Sequence, residues 1–490
     1  MKRRTFLCHT TIAGIGSRLP FCGPMAWAAT AERRFHVCLS VEALKDDPGF
    51  LPLLKDAGIH AIWLAGYFYG YWPYALADLQ ATRAQIMAAG LEVNLVNVPL
   101  GHPGDSLGST DGAFPLTPPS HWKMARRVDG TAYAGTSLHE PATEENAAAI
   151  RELQKSGFRT IFLDDDFRLA PSPGQIGGCF CDAHRDAFLQ RGGYSRPRWD
   201  ELVQDVRDRR LTPLLRDWIA VQCDQLSLSF QAQQAVLQDG ALGIMVMYLG
   251  SEKAGIRLAD YTDVPFRVGE LMFDDASFGR VKGKTDELFS ALFHRRFARP
   301  ELAYSETTAY PAQSLSARHL AAKLAISTLA DVRNTMFMSG VSPFPKPHWE
   351  TIAPAMKIQA AHHRKLAGHI PRGPFKHDWG EASRLIGDDQ PFSLFLAAGV
   401  PFEVVDQPAT AGWTFLSDYD ARALADSKTM GKGTTYIHRP SVNGPIPNGE
   451  AVEETLEALF AFKHRIKDQL HHVPHVQDDV PVVCAWYPTA

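Results

Sequence analysis

Three consecutive aspartates are the residues of this sequence whose type and spacing most strongly indicate chemistry. Asp164, Asp165 and Asp166 follow the apolar run 159–163, where a predicted strand gives way to a loop. Like charges this close repel one another and resist removal from water, which raises the pKa of at least one carboxyl. Such crowding is typical of sites that need a proton donor near neutral pH. The alternative is an aspartate-rich turn with a capping role.

Glu306 is the second carboxylate of interest. It lies among hydroxyl-bearing residues in the run 304–308, and their hydrogen bonds favour its ionised form. An ionised carboxylate opposite a protonated one is the arrangement that cleaves glycosidic bonds. We therefore predict Glu306 as the nucleophile and one of Asp165 and Asp166 as the general acid and base. The alternative for Glu306 is a carboxylate favoured by a helix N-terminus.

Aromatic side chains are concentrated in the run 63–74, which contains Tyr67 and Trp72. Flat apolar rings with polar edges suit stacking against the C–H faces of sugars. A hydrophobic plug over the fold or a subunit contact would explain the same density. Further polar residues follow predicted strands and complete the predicted substrate-binding set, which consists of Asp164, Arg168, Tyr67, Trp72, Asn97, Tyr248 and Asp275. For Asp275, beside Asp274, a solvated turn is the commoner explanation.

Alternating apolar strands and amphipathic helices predict the fold that positions these residues. Eight strands are predicted, at 35–41, 61–65, 92–98, 160–163, 243–249, 266–273, 302–304 and 335–338. Eight βα units indicate a (β/α)₈ TIM barrel, in which residues after the strands face the active site. The aspartates follow strand 4 and Glu306 follows strand 7, on opposite sides of the barrel. A doubly wound sheet is the rival, but the chain has no break that would mark its two halves.

The segment after the barrel predicts a second, smaller domain. A Pro/Gly-rich stretch at 368–374 separates a barrel domain at 33–367 from a small α/β domain at 375–490, which we expect to close with a strand at 480–486. No cysteine lies between Cys223 and Cys484, so the second domain has no thiol nucleophile before its predicted terminal strand.

The first 28 residues are predicted to be a twin-arginine signal peptide. Lys2-Arg3-Arg4-Thr5-Phe6-Leu7 precedes a weakly apolar stretch, and Ala26-Trp27-Ala28 provides a cleavage site. A basic amphipathic arm is the alternative. The signal predicts export to the periplasm or the medium. The net charge of −4 argues against a nucleic-acid partner, and after signal cleavage no stretch is apolar enough for the membrane.

The order of barrel, strand-4 acids, cysteine pair and small α/β domain resembles the family 42 β-galactosidases of clan A glycoside hydrolases. That family binds structural zinc through cysteines shortly after the strand-4 acid. The matching place here holds Cys179, Cys181 and His184, with His102 or Cys223 as candidate fourth ligand. Two reduced buried thiols are the alternative. The second domain is similar to the family's non-catalytic amidotransferase-like trimerisation domain, which implies a possible homotrimer.

The chain departs from the family at the strand-4 motif. Clan A enzymes carry Asn-Glu there, whereas this sequence has Asp164-Asp165. The leading expectation is an exported glycoside hydrolase that acts on a carbohydrate and requires no cofactor. The alternative is a carbohydrate-binding barrel without hydrolysis. A metal-dependent hydrolase would need several histidines at strand ends, and His362-His363 and His471-His472 lie elsewhere.

Overall fold

Eight parallel strands close into a barrel in the computed structural model. The structure describes residues 32–101, 110–111, 114–136, 138–164, 167–172, 174–269, 271–426, 433–442 and 446–487. In chain order the barrel strands β1 to β8 are Arg34–Cys38, Ala61–Phe68, Glu92–Val98, Thr160–Leu163, Ala241–Met245, Phe266–Val268, Ala303–Thr308 and Asn334–Met338. Each strand pairs with its sequence neighbour in the barrel, and β8 pairs with β1. The predicted (β/α)₈ barrel is confirmed.

Fourteen α-helices are described around and after the barrel. Helices α1 to α14 are Val41–Asp46, Phe50–Ala57, Leu76–Ala88, Ala142–Lys155, Asp182–Gly192, Arg196–Asp208, Pro213–Gln234, Asp275–Phe278, Val281–His294, Ala317–Leu329, His348–Leu366, Glu381–Ile386, Asp418–Asp426 and Leu456–Arg465. Two hairpins, Thr110–Asp111 with Phe114–Pro115 and Met124–Arg126 with Ala132–Thr136, lie between β3 and α4. No helix in the described ranges is long and apolar enough to cross a membrane.

Aromatic side chains fill the interior of the barrel below its mouth. The rings of Trp63 and Phe162 lie 4.8 Å apart, and Tyr304 meets Phe162 edge-on at 5.0 Å. Because strand side chains alternate between faces, Asp164 and Glu306 project to the same side as Phe162 and Tyr304, two residues earlier. The two carboxylates therefore stand one layer above an aromatic floor.

A five-stranded parallel sheet follows the barrel. Its strands β9 to β13 are Phe375–Asp378, Phe402–Val405, Ala411–Phe415, Gly433–His438 and Gly449–Ala451, in the spatial order β10-β9-β11-β12-β13. This is the order of flavodoxin-like folds. The predicted small α/β domain is confirmed as a fold, whereas its exact boundaries stay predictions.

Several strand predictions differ from the structure. The predicted strand at 302–304 continues to Thr308, so Glu306 lies within β7 and does not follow it, and the predicted strand at 243–249 ends at Met245. The predicted strand at 266–273 ends at Val268, so Leu271 and Met272 belong to the loop that follows. The predicted terminal strand at 480–486 does not form, since Val482 and Trp486 make only isolated bridges, to Ala398 and Arg372. The runs 266–273 and 480–486 are apolar, but apolar composition alone does not determine strand pairing.

Candidate active site

A buried arginine joins Asp164 and Glu306 at the barrel mouth. Arg267, on β6, has no exposed surface, and its Nη2 forms a short ion pair with Asp164 Oδ1. The same Nη2 lies 3.6 Å from Glu306 Oε1. Since two carboxylates on one nitrogen lie only a few ångströms apart, Asp164 and Glu306 do face one site, as the sequence predicts.

The charge of Arg267 is held in place by these carboxylates. Burial opposes its charged form, but Asp164 and Glu306 outweigh burial and raise the pKa of the guanidinium. A buried pair of this kind is stable only when complete, because removal of one partner leaves an uncompensated charge. Cys38, at the end of β1, is also close, and burial with the nearby Asp164 raises the pKa of its thiol to about 12.

Glu306 has a hydroxyl partner and a second carboxylate nearby. Thr308 Oγ1 donates to Glu306 Oε1 at 3.0 Å, which confirms the hydroxyl environment expected of it. Behind it, Glu287 on α9 pairs with Lys323 on α10 at 2.5 Å, with both side chains fully buried. Burial, and more weakly the charge of Glu306, raises the pKa of Glu287 to about 7. Asp164, Glu306 and Glu287 are thus three buried acids that pair with the buried cations Arg267 and Lys323.

The second and third strands bring the predicted aromatic and amide residues to the same rim. The Tyr67 N–H donates to Asn97 Oδ1 at 3.0 Å, and the Asp164 N–H donates to the Asn97 carbonyl at 2.7 Å. A Cβ on Gly66 would lie 2.2 Å from Asn97 Oδ1, so only glycine permits this approach. The Tyr67 ring lies 5.0 Å from that of Trp72, which is 38% exposed.

Three other predicted substrate-binding residues have structural partners. Arg168 Nε donates to the Ala170 carbonyl at 2.8 Å, and its Nη1 lies 3.6 Å from Met247 Sδ. Asp275 begins α8 and accepts hydrogen bonds from Ser316 and His319, which tie it to the start of α10. Tyr248 lies three residues beyond β5, is buried, and has a φ of 49°. Their roles toward a substrate stay predictions.

Asp165 and Asp166, the predicted acid and base, lie outside the described residues. The structure does describe the residues just before them. Leu163 ends β4, and the next residue, Asp164, pairs with Arg267. The structure therefore places only the first of the three aspartates. The roles of Asp165 and Asp166 stay predictions.

A second cluster of ligand-type side chains surrounds Cys181. His139, Cys181 and His184 place their donor atoms within 4.8 Å of one another. Burial lowers the pKa of both histidines, that of His184 to about 4, so the rings are neutral as zinc requires. Burial and the neighbouring Cys181 raise the pKa of Cys179 to about 12.

The structure thus changes part of the predicted set of zinc ligands. Cys181 and His184 belong to the cluster, and Cys179 packs against Cys181 beside it. Cys223 as a ligand is wrong, because its thiol faces the Glu252 carbonyl at 3.6 Å. His102 lies outside the described residues. The chemistry of the donor set, soft sulfur with neutral imidazole, fits zinc.

Arg267 and His139 are the residues that sequence reasoning missed. A single arginine inside the apolar strand 266–268 is a signal, because an unpaired charge is not buried in a barrel. His139 carries no such signal, since it is 42 residues from Cys181 in a loop and only the fold brings them to 3.4 Å.

Comparison with known proteins supports the fold. No protein-family model matches the sequence, and no curated protein matches it significantly. Among solved structures, the chain is similar to a β-galactosidase from Marinomonas ef1, at 9% identity, TM-score 0.54, covering 88% of this chain and 79% of that one. The β-galactosidases from Rahnella sp. R3 and Bacillus circulans sp. alkalophilus give TM-scores of 0.51 at 11% and 10% identity, with 84% and 83% of this chain covered and 71% of each of theirs.

Proposed function

We propose that the protein is a retaining glycoside hydrolase of the clan A type, related to the family 42 β-galactosidases. The observation that carries the proposal is the position of Glu306 on the aromatic floor, with Arg267 between it and Asp164. The likeness of the fold to three β-galactosidases supports it. Trp72, 38% exposed and in contact with the buried ring of Tyr67, offers aromatic surface for a sugar.

The proposed reaction uses Glu306 as nucleophile. Its carboxylate attacks the anomeric carbon while Asp165 or Asp166 protonates the leaving oxygen, and a glycosyl ester forms on Glu306. The deprotonated aspartate then removes a proton from water, which attacks the same carbon and releases the sugar and Glu306. Arg267 and Thr308 favour the ionised form of Glu306 between turnovers. Asp164 acts as a positioning residue, since it holds Arg267.

A non-catalytic sugar-binding barrel is the second candidate. The observation that favours it is the ion pair of Asp164 with Arg267, which removes the first aspartate of the strand-4 motif from proton transfer. Such a protein would bind oligosaccharides at the same mouth and release no product.

We also propose a structural zinc ion held by His139, Cys181 and His184, with Cys179 beside them. A zinc ion in such a set links the loop before α4 to the start of α5 and stabilises both. It takes no part in the proposed reaction. We further propose export through the twin-arginine signal, which follows from the N-terminal sequence. We also propose assembly into a homotrimer, which follows from the resemblance.

A hydrolysis screen tests the function. The mature chain and its Glu306→Gln variant are incubated with 4-nitrophenyl α- and β-glycosides of galactose, glucose and fucose, and nitrophenol release is recorded. We expect turnover of at least one β-glycoside by the natural chain and a loss of about 10³-fold or more in the variant, with an unchanged circular dichroism spectrum. Equal rates for both proteins would disprove the role of Glu306. Oligosaccharide binding without any release would establish the second candidate.

A further inference from the structure

Two neighbouring loops of the barrel connect the strand-4 aspartates to the second domain. We call residues 167–172 and 174–178, which follow Asp165 and Asp166 in sequence, the β4 loop. We call residues 246–257, which follow the end of β5, the β5 loop. Both loops leave the carboxyl ends of barrel strands, so both belong to the face of the barrel that carries the active site.

The β4 loop is hydrogen-bonded to the β5 loop through main-chain groups. The Leu169 N–H donates to the Ala254 carbonyl at 2.8 Å. The Gly177 N–H donates to the Lys253 carbonyl at 2.6 Å. Leu169 and Ala254 are buried, and buried main-chain groups need a partner. A displacement of the β5 loop must therefore break these bonds or move the β4 loop with it.

Two ion pairs join the β5 loop to the second domain. Glu252 Oε1 lies 2.6 Å from Arg384 Nη1 on α12. The fully buried ammonium of Lys253 pairs with Asp389. Glu252 and Asp389 are only 7% and 8% exposed. Because a buried charge without its partner is strongly unfavourable, these pairs fix one position of the β5 loop against the second domain.

Arg209 connects the β4 loop to the second domain directly. This residue follows α6, and its guanidinium donates to the carbonyl of Gly174 in the β4 loop. The same guanidinium donates to the carbonyls of Ile386 and Gly387 at 2.6 and 2.9 Å. Since a guanidinium is planar and its donors have a fixed geometry, the three carbonyls keep fixed positions relative to one another.

We propose that Arg384 and Asp389 of the second domain position the β4 loop, and with it the proton donor on strand 4. The two side chains fix the β5 loop, which in turn fixes the β4 loop. The β4 loop continues in sequence from Asp165 and Asp166, and Asp164 on their other side is fixed by its own ion pair. The catalytic part of this proposal rests on the proposed hydrolase function.

A second contact between the domains provides a matched control. Arg296 follows α9 and precedes β7, which places it at the end of the barrel away from the mouth. It pairs with Asp406 at 2.5 Å and donates to the Val404 carbonyl at 3.2 Å. The side chains of Arg296 and Arg384 are 26% and 23% exposed. The two arginines thus differ mainly in whether their partner belongs to the β5 loop.

Hydrogen exchange tests the connection between the second domain and the β4 loop. Deuterium uptake is measured by mass spectrometry for Arg384→Gln and Asp389→Asn, with Arg296→Gln and Asp406→Asn as controls. Loss of a hydrogen bond to a charged group should let the β4 loop exchange about 10-fold faster in the first two variants alone. Arg384→Lys keeps the charge and should restore part of the protection. Uptake in β7 reports global unfolding and should stay constant.

Unchanged exchange of the β4 loop in Arg384→Gln would overturn the proposal. The same conclusion would follow if the two control variants accelerated its exchange equally. Because Arg384 is partly exposed, Arg384→Gln is the variant that decides if Asp389→Asn does not fold.

The leaving group of the substrate tests the position of the proton donor. A dinitrophenolate leaves without a proton, whereas a phenolate needs one from the general acid. We measure kcat/KM for the phenyl and 2,4-dinitrophenyl glycosides of the sugar that the screen identifies. A misplacement of about 1 Å can cost about 10²-fold. Arg384→Gln should therefore lower kcat/KM for the phenyl glycoside by about 10–100-fold and that for the dinitrophenyl glycoside by less than about 2-fold.

The outcomes separate the positioning role from the function. Equal losses of kcat/KM on both glycosides would overturn the positioning role while the hydrolase function stands. If the natural chain hydrolyses no glycoside, the hydrolase function fails and hydrogen exchange decides alone. Faster exchange of the β4 loop in Arg384→Gln then supports its control by the second domain, and unchanged exchange overturns it.

Discussion

Arg267 Nη2 lies 3.6 Å from Glu306 Oε1, with both side chains buried at the mouth of the barrel. The two residues come from adjacent strands, β6 and β7, whose register pairs Arg267 with Tyr304. Glu306 stands two residues further, on the same side of its strand as Tyr304. The Arg267 side chain thus extends toward the barrel mouth, where its guanidinium contacts both Glu306 and Asp164.

Replacement of Arg267 by methionine should destabilise the protein strongly. The variant leaves Asp164 and Glu306 buried without their cation, and loss of one partner of a buried ion pair costs about 3–5 kcal/mol. The free energy of unfolding is measured in urea by tryptophan fluorescence. As a control, Arg198→Met breaks the exposed pair of Arg198 with Glu201 and should change stability by less than about 0.5 kcal/mol. Equal effects in both variants would contradict the role assigned to Arg267.

Arg267→Lys tests the same residue through activity. A lysine keeps the charge, but its compact ammonium on an unbranched stem does not reproduce the position of Nη2 between the two carboxylates. A nucleophilic carboxylate with a weaker cationic partner holds its proton to higher pH, so the acidic limb of the kcat/KM profile should move to higher pH. The shift is measured on the aryl glycoside that the screen identifies. An unchanged acidic limb would show that Arg267 does not control the ionisation of Glu306.

Gly66→Ala should damage the rim of the site. The added Cβ would lie 2.2 Å from Asn97 Oδ1, which must move and release the N–H of Tyr67. Overpacking of this kind costs about 1–3 kcal/mol. Thermal unfolding measures the loss. Gly49→Ala is the matched control, because Gly49 has a φ of −71° and its new Cβ would meet Asp47 Oδ1 at 3.3 Å. A variant Gly66→Ala as stable as this control would contradict the close approach.

The sequence allowed the barrel and the place of its carboxylates to be predicted because both follow from short-range patterns. Asp164 and Glu306 each follow an apolar run, and strand ends face the site in any such barrel. Arg267 was missed because burial of a charge depends on partners 103 and 39 residues away in sequence. His139 was missed for the same reason. The residues that pair with a polar side chain in the folded protein can lie far from it in sequence, so local sequence patterns do not reveal them.

Zinc content tests the cluster around Cys181. We expect about one zinc ion for each chain by plasma mass spectrometry, and much less in Cys181→Ser and in His139→Ala, since both remove a ligand. Zinc that saturates its site 100-fold adds about 2.7 kcal/mol to the free energy of unfolding. Chelation by EDTA should therefore lower the unfolding temperature. Cys484→Ser, at a cysteine outside the cluster, should keep both the zinc and the stability. A natural chain without zinc would disprove the proposal.

Asp378→Asn should remove part of the pH dependence of stability. Asp378 ends β9, is 2% exposed, and neither of its carboxyl oxygens receives a hydrogen bond within the described ranges. Burial, and then the charge of Asp420, raises the pKa of Asp378 well above its usual range. Between about pH 4 and that raised pKa, the folded chain keeps a proton that the unfolded chain has released.

The natural chain should therefore lose about 1.4 kcal/mol for each pH unit within this window, because its folded form must hold the proton or bury a charge. Asparagine is neutral at every pH, so the variant should lose less stability between pH 5 and pH 8. Urea unfolding at both values measures the difference. Asp426→Asn changes an exposed aspartate of α13 and should reproduce the natural profile. Identical profiles for all three proteins would show that Asp378 is ionised in the folded chain at little cost.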